Sequence, residues 1–266
     1  MDSLAVRDFT FEWGQRTYIM GILNITPDSF SGDGLAAYDL SRALEQAQEF
    51  VEAGVDILDV GGESTRPGAD PVEAEEELDR VLPVIERLAA ETETLISIDT
   101  YKASVARQAL DAGADLVNDV WGLRADPELA GLVARREVPV ILMHNRSDPG
   151  NAQIKEQLGG RYVGIEYQDL LEDVQGELLE SVDIARKAAV PRGKIILDPG
   201  IGFGKTVSQN LELLNRLDEI RALGYPVLLP PSRNSFIGYT LDLSLDERME
   251  GTAATVVVSI VNGARA

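Results

Sequence analysis

Ala53-Gly54-Val55-Asp56-Ile57-Leu58-Asp59-Val60-Gly61-Gly62-Glu63-Ser64-Thr65-Arg66-Pro67-Gly68 holds one complete structural period of the chain. A helix ends at Ala53, Gly54 stops it, a short strand apolar on both faces follows, and a polar cluster begins where the strand ends. The same punctuation returns at Ala112-Gly113-Ala114-Asp115. Strands of this kind are expected at Gly21–Asn24, Asp56–Val60, Thr94–Ile98, Asp115–Asn118, Pro139–Met143, Lys194–Leu197 and Pro226–Leu229, with a helix over residues 39–53 after the first. Strands covered by helices on both sides read as continuous apolar runs, and the alternation of strand and helix argues for a parallel α/β fold. A TIM-type (β/α) barrel of about 250 residues accommodates the 266 residues as a single domain, 1–266.

A parallel barrel brings the C-terminal ends of its strands to one face. Here those ends carry Asn24-Ile25-Thr26-Pro27-Asp28-Ser29-Phe30, Glu63 to Gly68, Ser97-Ile98-Asp99-Thr100, Asn118-Asp119, Met143-His144, Asp198-Pro199-Gly200-Ile201-Gly202-Phe203-Gly204-Lys205 and Ser232-Arg233-Asn234-Ser235-Phe236. The seven clusters read as one dispersed site. Ahead of the first strand, Phe9–Glu12 and Arg16–Met20 flank Trp13-Gly14-Gln15, which predicts a hairpin able to plug the barrel bottom. The loops 25–38 and 145–165 are longer than connections need, and are expected to be a lid and an insertion.

Composition narrows the chemistry. There is no cysteine and a single histidine, which excludes disulfides, thiol nucleophiles and multi-histidine metal centres. The start of the chain lacks signal-peptide character and no run spans a membrane, so a cytoplasmic protein is expected. The net charge of −21 opposes nucleic acid and anionic membranes as partners, and its dispersed acid resembles a salt-adapted proteome. An anionic substrate then needs local cations, which Arg66, Lys205 and Arg233 could provide.

The glycine-rich turn at 200–205 fits neither nucleotide motif: Pro199 stands where the phosphate loop needs glycine, and the third glycine comes one residue early for a dinucleotide fold. Its glycines predict close approach to a flat ligand. Asp59, Asp99, Asp119 and Asp198 each close a strand, where an aspartate can either cap the next helix or accept the paired N–H groups of an amino-pyrimidine ring. Asn118 suits a neighbouring ring nitrogen, and Met143 an apolar slot. His144 can act as a base or merely orient its loop.

These clusters closely resemble the dihydropteroate synthase family over almost the whole chain: Asn24 to Phe30, Gly61 to Gly68 and Asp198 to Lys205 match its three signatures. The resemblance implies an eight-stranded barrel that joins p-aminobenzoate to 6-hydroxymethyl-7,8-dihydropterin pyrophosphate and releases pyrophosphate, with Mg²⁺ held by Asn24. It implies that Asp99, Asn118 and Asp198 grip the pterin, with Met143 and Phe203 along its slot. Thr65 and Arg66 would bind pyrophosphate, and Ser232, Arg233 and Asn234 would lie near p-aminobenzoate. Arg66, Asp99 and Asp198 are the expected catalytic groups, stabilising the leaving group and the ring cation. A homodimer is expected. Two features depart from the pattern: Asn234 replaces a lysine, and the family continues into an eighth strand and a final helix that are not met before Ala266; an open seven-stranded remnant would leave a gap between its first and seventh strands, so the expectation is, in order, a fragment, a sheet completed by a neighbouring chain, or altered closure. A non-catalytic pterin-binding paralogue and a pterin-dependent methyltransferase are the competing readings.

Overall fold

A computed structural model describes residues 3–26, 40–64, 71–155, 158–163 and 165–266. A hairpin of β1 (Leu4–Val6) and β2 (Phe9–Phe11) leads into β3 (Met20–Asn24). Then follow α1 (Leu40–Ala53), β4 (Ile57–Gly61), α2 (Ala74–Glu91), β5 (Leu95–Asp99), α3 (Ala103–Asp111), β6 (Leu116–Asp119), α4 (Pro127–Arg136) and β7 (Val140–Met143). A second hairpin, β8 (Ala152–Lys155) and β9 (Gly159–Tyr162), precedes α5 (Leu170–Lys187), β10 (Ile195–Asp198), α6 (Val207–Asn215), α7 (Leu217–Arg221), α8 (Ser235–Leu241) and α9 (Met249–Asn262).

The central sheet is wholly parallel, in the order β10-β7-β6-β5-β4-β3. Residues 226–229 extend it beyond β10: Leu197 bridges Val227, and Leu228 N donates to Leu197 O at 2.9 Å. At the barrel floor the expected gap between the first and seventh strands is spanned by backbone. Arg265 N donates to Val227 O at 2.8 Å, Leu229 N to Ala266 O at 3.0 Å, and Tyr18 N to Arg265 O at 2.9 Å.

The recurring Asp after each glycine stop ties neighbouring strands together. Asp56 accepts from Ile19 N at 2.9 Å and Asp115 from Ile96 N at 2.9 Å, so each satisfies a backbone donor of the strand beside it.

The two hairpins correct the reading of the sequence. The N-terminal one turns at Arg7-Asp8, with Leu4 opposite Phe11, while the turn expected around Trp13-Gly14-Gln15 is present but carries only a single bridge, Trp13 to Arg16. Arg7 takes φ 49 in the first of these, a left-handed turn without glycine that the sequence pattern does not signal. Its role as a plug holds. Leu4, Val6, Phe11 and Tyr18 form one buried cluster with Ile57, Leu95, Leu116, Ile141, Ile196 and Leu228, an inward-facing residue near the floor of each of six strands. The insertion at 145–165 carries β8 and β9, antiparallel, where a loop is expected. Residues 27–38 of the expected lid lie outside the described residues, and among the described residues no helix is long and apolar enough to cross a membrane.

A second core fills the space between the sheet and the helices, where Leu23, Leu58, Ile96, Val117 and Leu142 meet residues such as Ala47, Val84 and Val105. Strands pressed between these two cores leave their C-terminal ends as the place where polar groups collect.

Candidate active site

A cavity of about 170 Å³ opens at those C-terminal ends. Asn24, Asp99, Asn118, Met143, Asp198 and Phe203, six of the residues singled out from the sequence, line it together. Thr65 and Arg66 lie outside the described residues. Ser232, Arg233 and Asn234 do not line this cavity; they belong to the loop that starts α8, where Arg233 is exposed and takes φ 51, held by its N–H to Thr252 Oγ1 at 2.9 Å. Asn234 caps α8 through Phe236 N at 3.3 Å and donates to Ile201 O at 3.3 Å.

Of the strand-end aspartates, Asp119 closes the turn that follows its strand, accepting from Trp121 N at 2.8 Å and Leu123 N at 2.6 Å, while the next helix is capped by Asp126 instead. Asp198 faces the cavity, and Gly200 N donates to it at 2.7 Å. Burial pushes its carboxyl up to about 7, against the pull of that N–H and of Lys205. Asp99 is raised well above the usual carboxylate range, first by burial and then by the negative charges of Asp59, Glu77, Asp119 and Glu63. Asp59 also lines the cavity and is missing from the site residues assigned from the sequence. Its Oδ2 accepts from Asn118 Nδ2 at 3.0 Å across two strand spacings. Such a pairing depends on register, which a single strand's pattern does not disclose.

The glycine-rich turn is corrected in meaning. A Cβ on Gly200, at φ 69, would sit 1.9 Å from His144 O, and one on Gly204, at φ 59, 2.3 Å from the Arg146 carbonyl carbon. These glycines permit close approach of the turn to the β7 loop. What reaches the cavity is the Phe203 ring between them. Lys205 likewise is no surface cation for a substrate. It is buried, and its Nζ meets His144 Nδ1 at 2.9 Å, Gly200 O at 2.9 Å and Phe203 O at 3.0 Å. Burial lowers its amine to about 7.

Ahead of the Thr65–Arg66 pair, Ser64 reaches the cavity wall, and Glu63 beside it is held by Lys102 Nζ and by Tyr101 Oη at 3.2 Å. Lys102 also pairs with the buried Glu77 of α2. One ammonium thus anchors the chain on both sides of residues 65–70.

Buried carboxyls, a neutral amide and two apolar walls form a slot for a flat, donor-rich ring, and this chemistry agrees with the comparisons. The family model described as pterin binding enzyme matches residues 20–266. The dihydropteroate synthase of Clostridium beijerinckii is 49% identical over 254 residues, covering 96% of this chain and 88% of that protein. That of Bacillus subtilis is 50% identical over 250 residues, covering 94% and 81%. Among solved structures, a Xanthomonas albilineans dihydropteroate synthase with 4-aminobenzoic acid matches with TM-score 0.86 and 39% identity, covering 99% of this chain and 90% of that one.

The fold and the family match define a pterin-binding barrel enzyme. Within that class the chain belongs to the dihydropteroate synthase family, transferases of folate biosynthesis.

Proposed function

We propose that the chain condenses 6-hydroxymethyl-7,8-dihydropterin pyrophosphate with p-aminobenzoate to give 7,8-dihydropteroate and pyrophosphate, in the cytoplasm. The observation that carries the assignment of residues is the convergence of Asp99, Asn118 and Asp198 with Met143 and Phe203 on one cavity. A pterin ring presents N–H donors in its plane, for which the carboxyls and the amide carbonyl are acceptors, while Met143 and Phe203 take its faces.

When the carbon–oxygen bond to pyrophosphate breaks, positive charge spreads from the methylene carbon into the ring. Carboxylates fixed beside the ring stabilise that charge more than they stabilise the neutral substrate. Thr65 and Arg66, assigned by their place in the family signature, hold the departing pyrophosphate. The arylamine nitrogen of p-aminobenzoate attacks the methylene carbon and loses a proton, for which a weakly basic amine needs no strong general base. His144 takes no part: it is buried outside the cavity lining, its Nδ1 meets Lys205 Nζ, and its Nε2 faces Glu177 at 3.2 Å.

Mg²⁺ fits the donor set. Among the described residues no three acidic or histidine side chains gather to hold a metal alone, whereas Asn24 offers one oxygen at the cavity mouth. A magnesium ion that keeps waters and shares substrate phosphates needs few protein ligands. When bound it neutralises charge on the leaving group. Ser232 and Arg233, assigned by their place in the family pattern, take the p-aminobenzoate side.

The protein's partner is a second copy of itself. Supporting this, α9 leaves Val257, Val258, Ile260 and Val261 exposed along one helix, with Leu241, Leu245 and Met249 nearby in sequence. Sedimentation across a concentration series tests the dimer.

Incubating the purified protein with the pterin pyrophosphate, p-aminobenzoate and Mg²⁺ should release pyrophosphate and form dihydropteroate. Pterin binding without turnover by a folded preparation would establish a binding paralogue instead.

A further inference from the structure

Asp59 has no part in the chemistry above, yet it occupies the ligand cavity. In register it stands opposite Ser97, below the Gly61–Asp99 pair that rims the site. Only 3% of it is exposed. Its Oδ2 accepts from Asn118 Nδ2 at 3.0 Å, while the carboxyl's other polar neighbour is the buried Ser97 hydroxyl, in a contact that is not a well-formed hydrogen bond. A buried carboxyl with a poorly paired oxygen costs stability, and an apolar side chain of equal shape would not. A primary amide, for its part, can present either oxygen or nitrogen to a ligand, and which one it shows depends on what holds its other end.

We propose that Asp59 is a positioning residue that sets the orientation of the Asn118 amide. Holding Nδ2 leaves Asn118 Oδ1 and one remaining N–H for the ring, a fixed acceptor–donor pair beside the carboxyls of Asp99 and Asp198. A free amide would turn, and the site would lose its discrimination for a ring edge of complementary pattern. This inference rests on the pterin assignment.

Calorimetric titration with 6-hydroxymethyl-7,8-dihydropterin tests it. Asp59→Leu keeps the side-chain shape and removes the acceptor. It should weaken pterin binding about tenfold, as expected for one mispaired polar contact. The KM for p-aminobenzoate should stay unchanged and the thermal midpoint should not fall. Asp59→Asn, whose carbonyl can still accept from Asn118, should restore most of the affinity. In an Asn118→Ala background, Asp59→Leu should cause no further loss, because the residue acts only through that amide. Losses that add, full affinity in Asp59→Leu, or an Asp59→Leu protein that does not fold would each overturn the inference. Wild-type protein that binds no pterin would instead overturn the assigned substrate.

Discussion

Lys205 Nζ lies 2.9 Å from His144 Nδ1, and the far nitrogen of the same imidazole lies 3.2 Å from Glu177 Oε2. An ammonium has only donors, so Nδ1 carries the lone pair and Nε2 the proton. The imidazole is neutral, lowered to about 4 first by burial and then by the Lys205 charge, while His144 and Arg146 outweigh burial and hold Glu177 down at about 2. The chain of contacts fixes the glycine-rich turn from beneath and thereby fixes the Phe203 wall of the cavity.

Replacing Lys205 by Met removes the donor that serves Gly200 O and Phe203 O. The buried Gly200 carbonyl loses a partner at about 1–3 kcal/mol and the part-buried Phe203 carbonyl loses one at less, partly offset by removal of a buried charge. Denaturant unfolding should show a net loss of roughly 2 kcal/mol, and pterin affinity should fall as Phe203 loosens. An unchanged midpoint would refute the anchoring role.

Acid should destabilise the protein through His144. The unfolded chain binds this proton near pH 6.5 and the folded one only near 4. Between those values the unfolded state holds more protons, so stability falls as pH falls, by up to roughly 3 kcal/mol over the window. Glu177 adds to this below pH 4.5, its contribution being lost as pH falls toward 2. Asp198, raised to about 7, runs the other way, favouring the folded state at lower pH. The difference between wild type and His144→Gln, followed by urea unfolding from pH 7 to 4, isolates the histidine. Parallel curves would remove it as the cause.

Ring binding should depend on pH through Asp198. Only the ionised carboxylate offers both oxygens as acceptors to adjacent pterin N–H groups, since the protonated acid turns one of them into a donor, and in the free protein it protonates near pH 7. Affinity should therefore weaken as pH falls below 7, approaching about tenfold per pH unit. Asp198→Asn should bind weakly with a flat profile. A wild-type profile flat between pH 6 and 8 would contradict this.

The residue at 234 should matter first to stability. Asn234→Ala removes the cap of α8 and the bond to Ile201 O, so a loss of about 1 kcal/mol is expected from thermal or chemical unfolding. Turnover should persist, because Asn234 does not line the cavity. Loss of turnover in a variant of normal stability would give Asn234 a direct role.

Much of this was readable from the residues. Glycine stops, apolar runs and polar strand ends placed the parallel strands to within a residue or two, because each signal is local. What escaped depends on other kinds of information. The turn at Arg7 uses a left-handed residue that is not glycine, and β8 and β9 are only four residues each, β9 opening on two glycines, too short for their pattern to stand out from a loop. Gly200 and Gly204 announced close packing correctly, but a sequence does not name what is packed against. Lys205 looked like a free cation until its three acceptors were placed around it. Asp59 reads as one strand-end acid among four; only strand register brings it to Asn118.

The aromatic stopper formed by Phe11, Tyr18 and their neighbours has a kinetic meaning. A vessel sealed below has one door, so whatever enters the cavity from the side of the strands' C-terminal ends leaves by the same route.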